Sequence, residues 1–279
     1  MIDLITVVFR QELSILKTQA QSIDLYQNDQ FVDQILIVVN DDAALISQID
    51  TAWWGRFQDR VKILSCNVFA DKLSPNGWHS QQLLKLLAAA SSKQQWSMVL
   101  DAKTIFVRKI ETKYLFNEDL KPLIGHGRPI QSVFIKSQQI VENLLNIKLE
   151  NQLSPSGVPF IFNNRVVQSM INDIERLTGQ PFNDWFASHP DLTEFLLYSG
   201  YVKKIYTDYG VLYDTSGGHY QTVNAGHCEF DQLDQKFHDM VMPITYTISI
   251  HRNLWKQMDL AQQQRYRDIL AQRGITCEL

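Results

Sequence analysis

The chain has 279 residues, 45% of them apolar and 20% charged, with a formal net charge of −4. That length can bury one large α/β core or two small ones, and the composition excludes a largely disordered protein. Scattered basic residues within a slightly negative balance exclude a polybasic membrane anchor and give no electrostatic ground for nucleic acid as a partner.

Apolar runs rich in Val and Ile alternate with longer amphipathic stretches, the pattern of βαβ units around a mainly parallel sheet. The opening MIDLITVVFR is too short in apolar residues for a secretory leader or a bilayer span, so Leu4–Phe9 reads as the first strand. The pattern then predicts a helix over Leu13–Tyr26, a strand over Gln34–Val39 closed by the turn Asn40-Asp41-Asp42, and a short strand over Val61–Leu64. Pro75-Asn76-Gly77 breaks the chain before a helix-forming run, Gln81–Ala90, and a fourth strand, Ser97–Leu100, ends on Asp101. Downstream the order is less regular. Strands are expected at Ile130–Ile135, Val158–Phe162, Gly210–Tyr213 and Ile244–Ile250. Helices are expected at Arg165–Thr178 (closed by Gly179 and Pro181), Leu192–Tyr198 and Leu254–Gln272. Cys66, Cys228 and Cys277 lack metal-site spacing and read as reduced thiols of a cytoplasmic protein with no transmembrane segment.

In open α/β sheets ligands bind at the carboxyl ends of the strands. Arg10 follows the first strand, Asn40 and Asp41 the second, and Asp101 with Lys103 the fourth. In Met98–Val107 an apolar strand runs into Asp101 and straight back into apolar sequence. An isolated buried charge is costly, so such an Asp calls for a ligand, a metal or a basic partner. The alternative is a turn carboxylate that caps backbone amides.

Asp101-Ala102-Lys103 resembles the Asp-x-Asp signature of GT-A nucleotide-sugar glycosyltransferases, with Lys103 at the second acidic position. The chain is similar to a little-characterised bacterial family of glycosyltransferase-like proteins with Asp-Ala-Lys in that place. The supporting segments are Gly77–Lys85, Ser156–Phe160, Thr178–Phe182, Thr193–Tyr198 and Ser249–Arg252. The resemblance implies one α/β domain over 1–279: a GT-A-like (Rossmann-like), mostly parallel sheet flanked by helices, with a mixed C-terminal part. Residues 1–110 would form a nucleotide-binding half and 111–279 an acceptor-binding half. It further implies a transferase of polysaccharide biosynthesis that moves a sugar from a nucleotide diphosphate to a glycan or lipid-linked acceptor. In such enzymes the motif binds the ribose and a divalent metal, Mn or Mg. An ammonium at Lys103 removes a coordinating oxygen and repels the cation, so no metal ligand is assigned. Lys103 instead meets the diphosphate directly, helped by Arg10, Lys85 or Arg252, or else points to solvent or pairs with a carboxylate.

Gln81 and Lys85 share a helical face, with Leu83, Leu84 and Leu87 marking the buried side. With Gln82 they are candidates for donor binding or a solvated face, and Trp78 reads as packing first, with base stacking as its alternative. Glu194, with Asp191 as the expected N-cap, is the candidate base that takes the acceptor proton in an inverting transfer. Its alternative is stabilisation of a helix N-terminus. Asp101 joins Glu194 as a catalytic candidate. The donor set is Arg10, Asn40, Asp41, Gln81, Gln82, Lys85, Asp101, Lys103, His251 and Arg252. His79, His219 and His227 are weaker candidates, the last two on an expected loop over the site. Two other functions stay open: a nucleotidyltransferase making a nucleotide sugar, and a non-catalytic sugar-binding protein. The first calls for a Gly-rich turn after the first strand, where the chain has Val8-Phe9-Arg10-Gln11-Glu12.

Overall fold

Seven residues without an exposed side chain, Ile2–Val8, form strand β1 at the centre of the main sheet. A strand covered on both faces gains nothing from alternation, which is why its sequence is almost continuously apolar. The structure is a computed structural model that describes residues 1–71, 73–124, 128–153, 158–217, 221–226 and 229–279. His219 and His227, with Ser156, Gly157, Gly218 and Cys228, lie outside the described residues.

After β1 come α1 (Leu13–Tyr26), β2 (Val32–Val39), β3 (Val61–Ser65), α2 (Gly77–Ser91) and β4 (Trp96–Asp101). The next elements are β5 (Ile105–Phe106), β6 (Arg128–Pro129), α3 (Ile135–Leu145), β7 (Asn151–Gln152), β8 (Phe160–Asn163), α4 (Asn164–Thr178), α5 (Phe182–Ala187) and α6 (Glu194–Tyr206). The chain closes with β9 (Gln221–Ala225), α7 (Leu233–Val241), β10 (Thr245–Ile250), α8 (Arg252–Gln257) and α9 (Leu260–Ala271).

The main sheet runs β3-β2-β1-β4-β8, parallel except for β8. Val8 pairs with Val39 and Val7 with Asp101, so the carboxyl ends of β1, β2 and β4 form one level edge. A second sheet, β5-β10-β9, pairs β10 antiparallel to β5 and parallel to β9, and β6 pairs with β7. This is the mainly parallel GT-A-like fold with a mixed C-terminal part. α2 packs on β1, β2 and β4 and is covered in turn by α4, α5 and α6. A helix enclosed in this way is exposed only near its ends, at Trp78 and Ser91: Gln82 and Lys85 are buried along with Leu83 and Leu84, whereas Leu87 is only partly so. No helix among the described residues is long and apolar enough to cross a membrane.

Three expected elements differ. Ile130–Ile135 is not a strand: a single 3-10 turn, Ser132–Phe134, leads into α3, whose Val141 and Leu145 face the core four residues apart. Gly210–Tyr213 is not a strand either; a 3-10 turn at Tyr209–Val211 is closed by the Asp208 carboxylate accepting from the Gly210 amide at 3.0 Å. The terminal helix is broken into α8 and α9 because Asp259 starts a new helix with a capping box to Gln262.

α6 lies close against α3. A Cβ on Gly200 would come within 2.3 Å of Val141 Cγ1, and a β-branched side chain that is fully buried has little room to yield. Gly200→Leu is expected to cost about 1–3 kcal/mol through overpacking, read as a lowered denaturation midpoint. Val141→Ala in the same chain should recover part of that loss, because the two residues share one contact.

Candidate active site

Asp101 is the last residue of β4, and the turn after it is fixed from below. The Gln19 side chain, buried in α1, donates to the carbonyls of Asp101 at 2.6 Å and Thr104 at 3.1 Å, and accepts from Thr6 at 2.9 Å. At the same edge the Asn40 amide holds the start of α2 through Ser80 Oγ (2.9 Å) and the Gly77 carbonyl (3.3 Å). Gly77 has no side chain because a Cβ there would meet the Phe9 ring at 2.8 Å. The first turns of α2 are thereby pressed against the strand ends.

A cavity of about 240 Å³ opens there, lined by Trp78, Gln81, Gln82, Lys85, Asp101, Lys103, Phe134, Gln152, Val158, Thr193, Glu194, Phe195 and His251. Its floor is a chain of charges. Lys85 Nζ bridges Asp101 Oδ1 at 2.8 Å and Glu194 Oε1 at 3.3 Å and lies over the Phe195 ring. Lys103 Nζ holds the other Asp101 oxygen, Oδ2, at 2.7 Å. Gln82 Oε1 accepts the Glu194 amide at 3.3 Å, and Gln81 reaches Asp101 at 3.4 Å.

Burial disfavours the Lys85 ammonium, but the Asp101 and Glu194 carboxylates outweigh it and hold the group above the ordinary lysine range. Burial also opposes ionisation of Asp101; Lys85 and Lys103 overcome it and keep that carboxyl well below its usual range. For Glu194 burial prevails: Lys85 offsets only part of it, and the charge on Asp101 adds to it, so this carboxyl is held above the ordinary range. Two neighbouring carboxyls are therefore pushed in opposite directions, the condition for one to stay ionised while the other exchanges a proton.

The structure brings Gln81, Gln82, Lys85, Asp101, Lys103, Glu194 and His251 together around this cavity. Arg10, Asn40, Asp41 and Arg252 do not line it. Arg10 and Asn40, expected at a common cleft with Asp101, follow the same strand edge but their side chains stand outside this cavity. Asn40 is committed to α2, and Arg10 reaches out to Asp42 at 3.7 Å. Asp41 accepts from the amides of Arg10 and Asp42, and Arg252 donates to Gln11. Two further readings change. Trp78 is 52% exposed at the cavity rather than packed, and the residue preceding α6 at its N-cap position is Thr193, while Asp191 pairs with Lys136 at 3.5 Å. His79 is buried against Phe186, ring centroids 4.7 Å apart, and burial lowers its basicity.

A divalent cation does not fit the residues present. Both Asp101 oxygens are taken by ammonium groups, and among the described residues no cluster of three His, Cys, Asp or Glu could hold a metal ion. Residues that sequence reasoning missed are Gln19, whose signal was a polar residue on the buried face of α1, and Glu12. Burial raises the Glu12 carboxyl, and the charge on Lys103 partly offsets that. Thr193, Phe195, Phe134 and Gln152 carried no signal of their own.

Lys85→Met would leave two carboxylates facing a buried site with their shared counter-charge removed. The expected loss is about 3–5 kcal/mol of stability at pH 7. A carboxyl whose folded pKa is raised contributes stability below its unfolded value and loses it as pH rises through the folded one. The defect should therefore shrink as pH falls and Glu194 takes up a proton, and Glu194→Gln should relieve it at pH 7. Denaturation midpoints of the single and double variants across pH check both points.

A family model described as "Family of unknown function (DUF6492)" matches residues 10–241. No curated protein matches the chain. Among solved structures the chain is similar to the galactosyltransferase LgtC in complex with donor and acceptor sugar analogs. Identity there is 12%, covering 98% of this chain and 95% of that one, with a TM-score of 0.50. It is also similar to the glycosyltransferase GlyE of Streptococcus pneumoniae TIGR4 (12% identity, 96% and 60% covered, TM-score 0.49). A third is mouse xyloside xylosyltransferase 1 in its apo form (12%, 91% and 99%, TM-score 0.45). At this identity the likeness to LgtC is one of fold. With its family model matched over residues 10–241, the chain belongs to the DUF6492 family.

Proposed function

We propose that this chain transfers a sugar from a nucleoside diphosphate donor to a hydroxyl of a glycan or lipid-linked acceptor, without a divalent metal. The observation that supports the reading most is the charged chain Lys103–Asp101–Lys85–Glu194 on the floor of a cavity at the carboxyl edge of a GT-A-like sheet. Four ionisable groups placed where ligands bind in open α/β sheets point to chemistry rather than to packing. Aromatic walls at Trp78, Phe134 and Phe195 offer flat apolar faces to a sugar ring, and Gln81, Gln82, Gln152 and His251 supply polar edges.

In this reading Lys103 leaves Asp101 to meet the donor diphosphate as a point charge, the task a metal would otherwise perform. In an inverting transfer the acceptor oxygen bonds to the anomeric carbon while the carbon–oxygen bond to the diphosphate breaks and its electron pair leaves with the phosphate. Glu194 takes the acceptor proton, and its raised carboxyl is suited to that step near neutral pH. Lys85 keeps Asp101 ionised and orients both carboxylates. The same bridge favours one rival, a non-catalytic sugar-binding protein, because the ammoniums occupy both Asp101 oxygens and one of Glu194.

Glu194→Gln separates the two. Screened against a panel of nucleotide sugars, the native chain should hydrolyse or transfer from at least one, and the variant should lose about 10²–10⁴ in turnover with donor affinity nearly unchanged. Turnover unaltered by the variant would remove Glu194 from the reaction, and donor binding with no turnover in the native chain would establish the rival.

A further inference from the structure

At the opposite end of the second sheet a larger cavity, about 600 Å³, is lined by Arg108, Lys109 and Arg273 together with Tyr26 and Tyr246. Tyr246 lies five residues before His251 on β10, so this cavity is separated from the candidate active site by about 17 Å of extended chain. Arg108 follows β5, Tyr26 ends α1 and Arg273 lies just beyond α9, so three separate parts of the fold converge there.

The charges in it are unbalanced. The buried Nε–H groups of Arg108 and Arg273 have no acceptor among the described residues. Arg273 uses its terminal nitrogens on the carbonyls of Ile269 (2.9 Å) and Met240 (3.3 Å), which fix the guanidinium in place, and Arg108 makes no bond within the described residues. Neither meets a carboxylate at ion-pair distance among those residues, and Glu111, the nearest acid along the chain, is paired with Lys113 at 2.8 Å. The two guanidiniums nevertheless sense each other: burial first, and then the positive charge of Arg108, weakens the hold of Arg273 on its proton. A protein seldom brings two partly buried cations together without a counter-ion, because each raises the cost of the other.

We propose that this cavity is a binding site for a phosphate-class dianion, held by Arg108, Lys109 and Arg273. Guanidinium groups match the tetrahedral oxygens of a phosphate with paired donors, and three positive charges around one pocket suit a dianion better than a single carboxylate. The phosphate can come from a soluble ligand or from a lipid headgroup, which share this chemistry. The inference is independent of the function proposed above.

The test uses the full chain carrying Lys103→Ala, which removes the cation proposed to bind phosphate at the other site. Calorimetric titration with inorganic pyrophosphate should show binding, weakened about tenfold or more by adding Arg108→Gln. Because Arg108 makes no bond among the described residues and repels Arg273, that substitution should not lower the melting temperature, so a loss of affinity reads as a loss of contact. Co-sedimentation with phosphatidylcholine vesicles, with and without phosphatidic acid, distinguishes the sources. Binding that needs phosphatidic acid and is lost with Arg108→Gln, while free pyrophosphate is ignored, assigns a lipid headgroup, and binding of pyrophosphate assigns a soluble phosphate. No binding to either probe, or affinity unchanged by Arg108→Gln, overturns the proposal.

Discussion

One buried ammonium organises the candidate site of this molecule. Lys85 stands 4% exposed between Asp101 and Glu194, which come from β4 and from the first turn of α6. An ammonium removed from water carries a desolvation cost of several kcal/mol, which two carboxylates at hydrogen-bond distance offset. The arrangement contributes little net stability compared with an apolar core of the same volume. What it does supply is a fixed, electroneutral cluster in which Lys85 and Lys103 balance Asp101 and Glu194. A diphosphate entering such a cluster adds negative charge to it, so binding must free an ammonium or protonate a carboxyl. Glu194, already held above its ordinary range, is the group closest to that change.

The rest of the fold serves to hold that cluster level. Parallel pairing of β1 with β2 and β4 aligns their carboxyl ends, Gln19 ties the Asp101 turn to α1, and Asn40 ties α2 to the strand edge. α3 and α6 meet so closely at Gly200 that α6, and Glu194 with it, has one seat against the core. Each of these is a buried polar or steric constraint, and such constraints fix geometry more sharply than apolar packing does.

Much of this frame is legible in the sequence, and the reason is periodicity. The fully buried run at Ile2–Val8 and the apolar stripe of Leu13–Tyr26 are local signals, and Asp101 between two apolar runs stands out by its charge. α3 is not legible because Ile130, Val133 and Ile135 form a β-branched run, although Val133 and Ile135 end up exposed and no strand pairs with that stretch. β9, with the sequence QTVNA, carries too little apolar character to declare itself. The site is legible in its members but not in its wiring. Glu194 lies 109 residues from Lys85, and nothing local says that they touch. The strand-end rule places Arg10 and Asn40 at the right edge, yet it cannot say which way a side chain turns there. Asn40 turned to bond Ser80 and the Gly77 carbonyl of α2, and Arg10 turned out to Asp42. A helical wheel leaves Lys85 on a face open to solvent or ligand because it shows only one helix, and the cover supplied by α4, α5 and α6 is tertiary.

The proposed function rests on ammonium groups standing where a metal would otherwise balance the donor. Calorimetric titration of nucleoside diphosphates and monophosphates, in EDTA and in Mn²⁺, addresses it most directly, on the native chain and on Lys103→Ala. Diphosphate affinity should be the same in both media. The variant should lose about ten- to a hundredfold, a loss that falls on the diphosphate and spares the monophosphate. Diphosphate binding that appears only with Mn²⁺, or equal losses for both ligands, would contradict it.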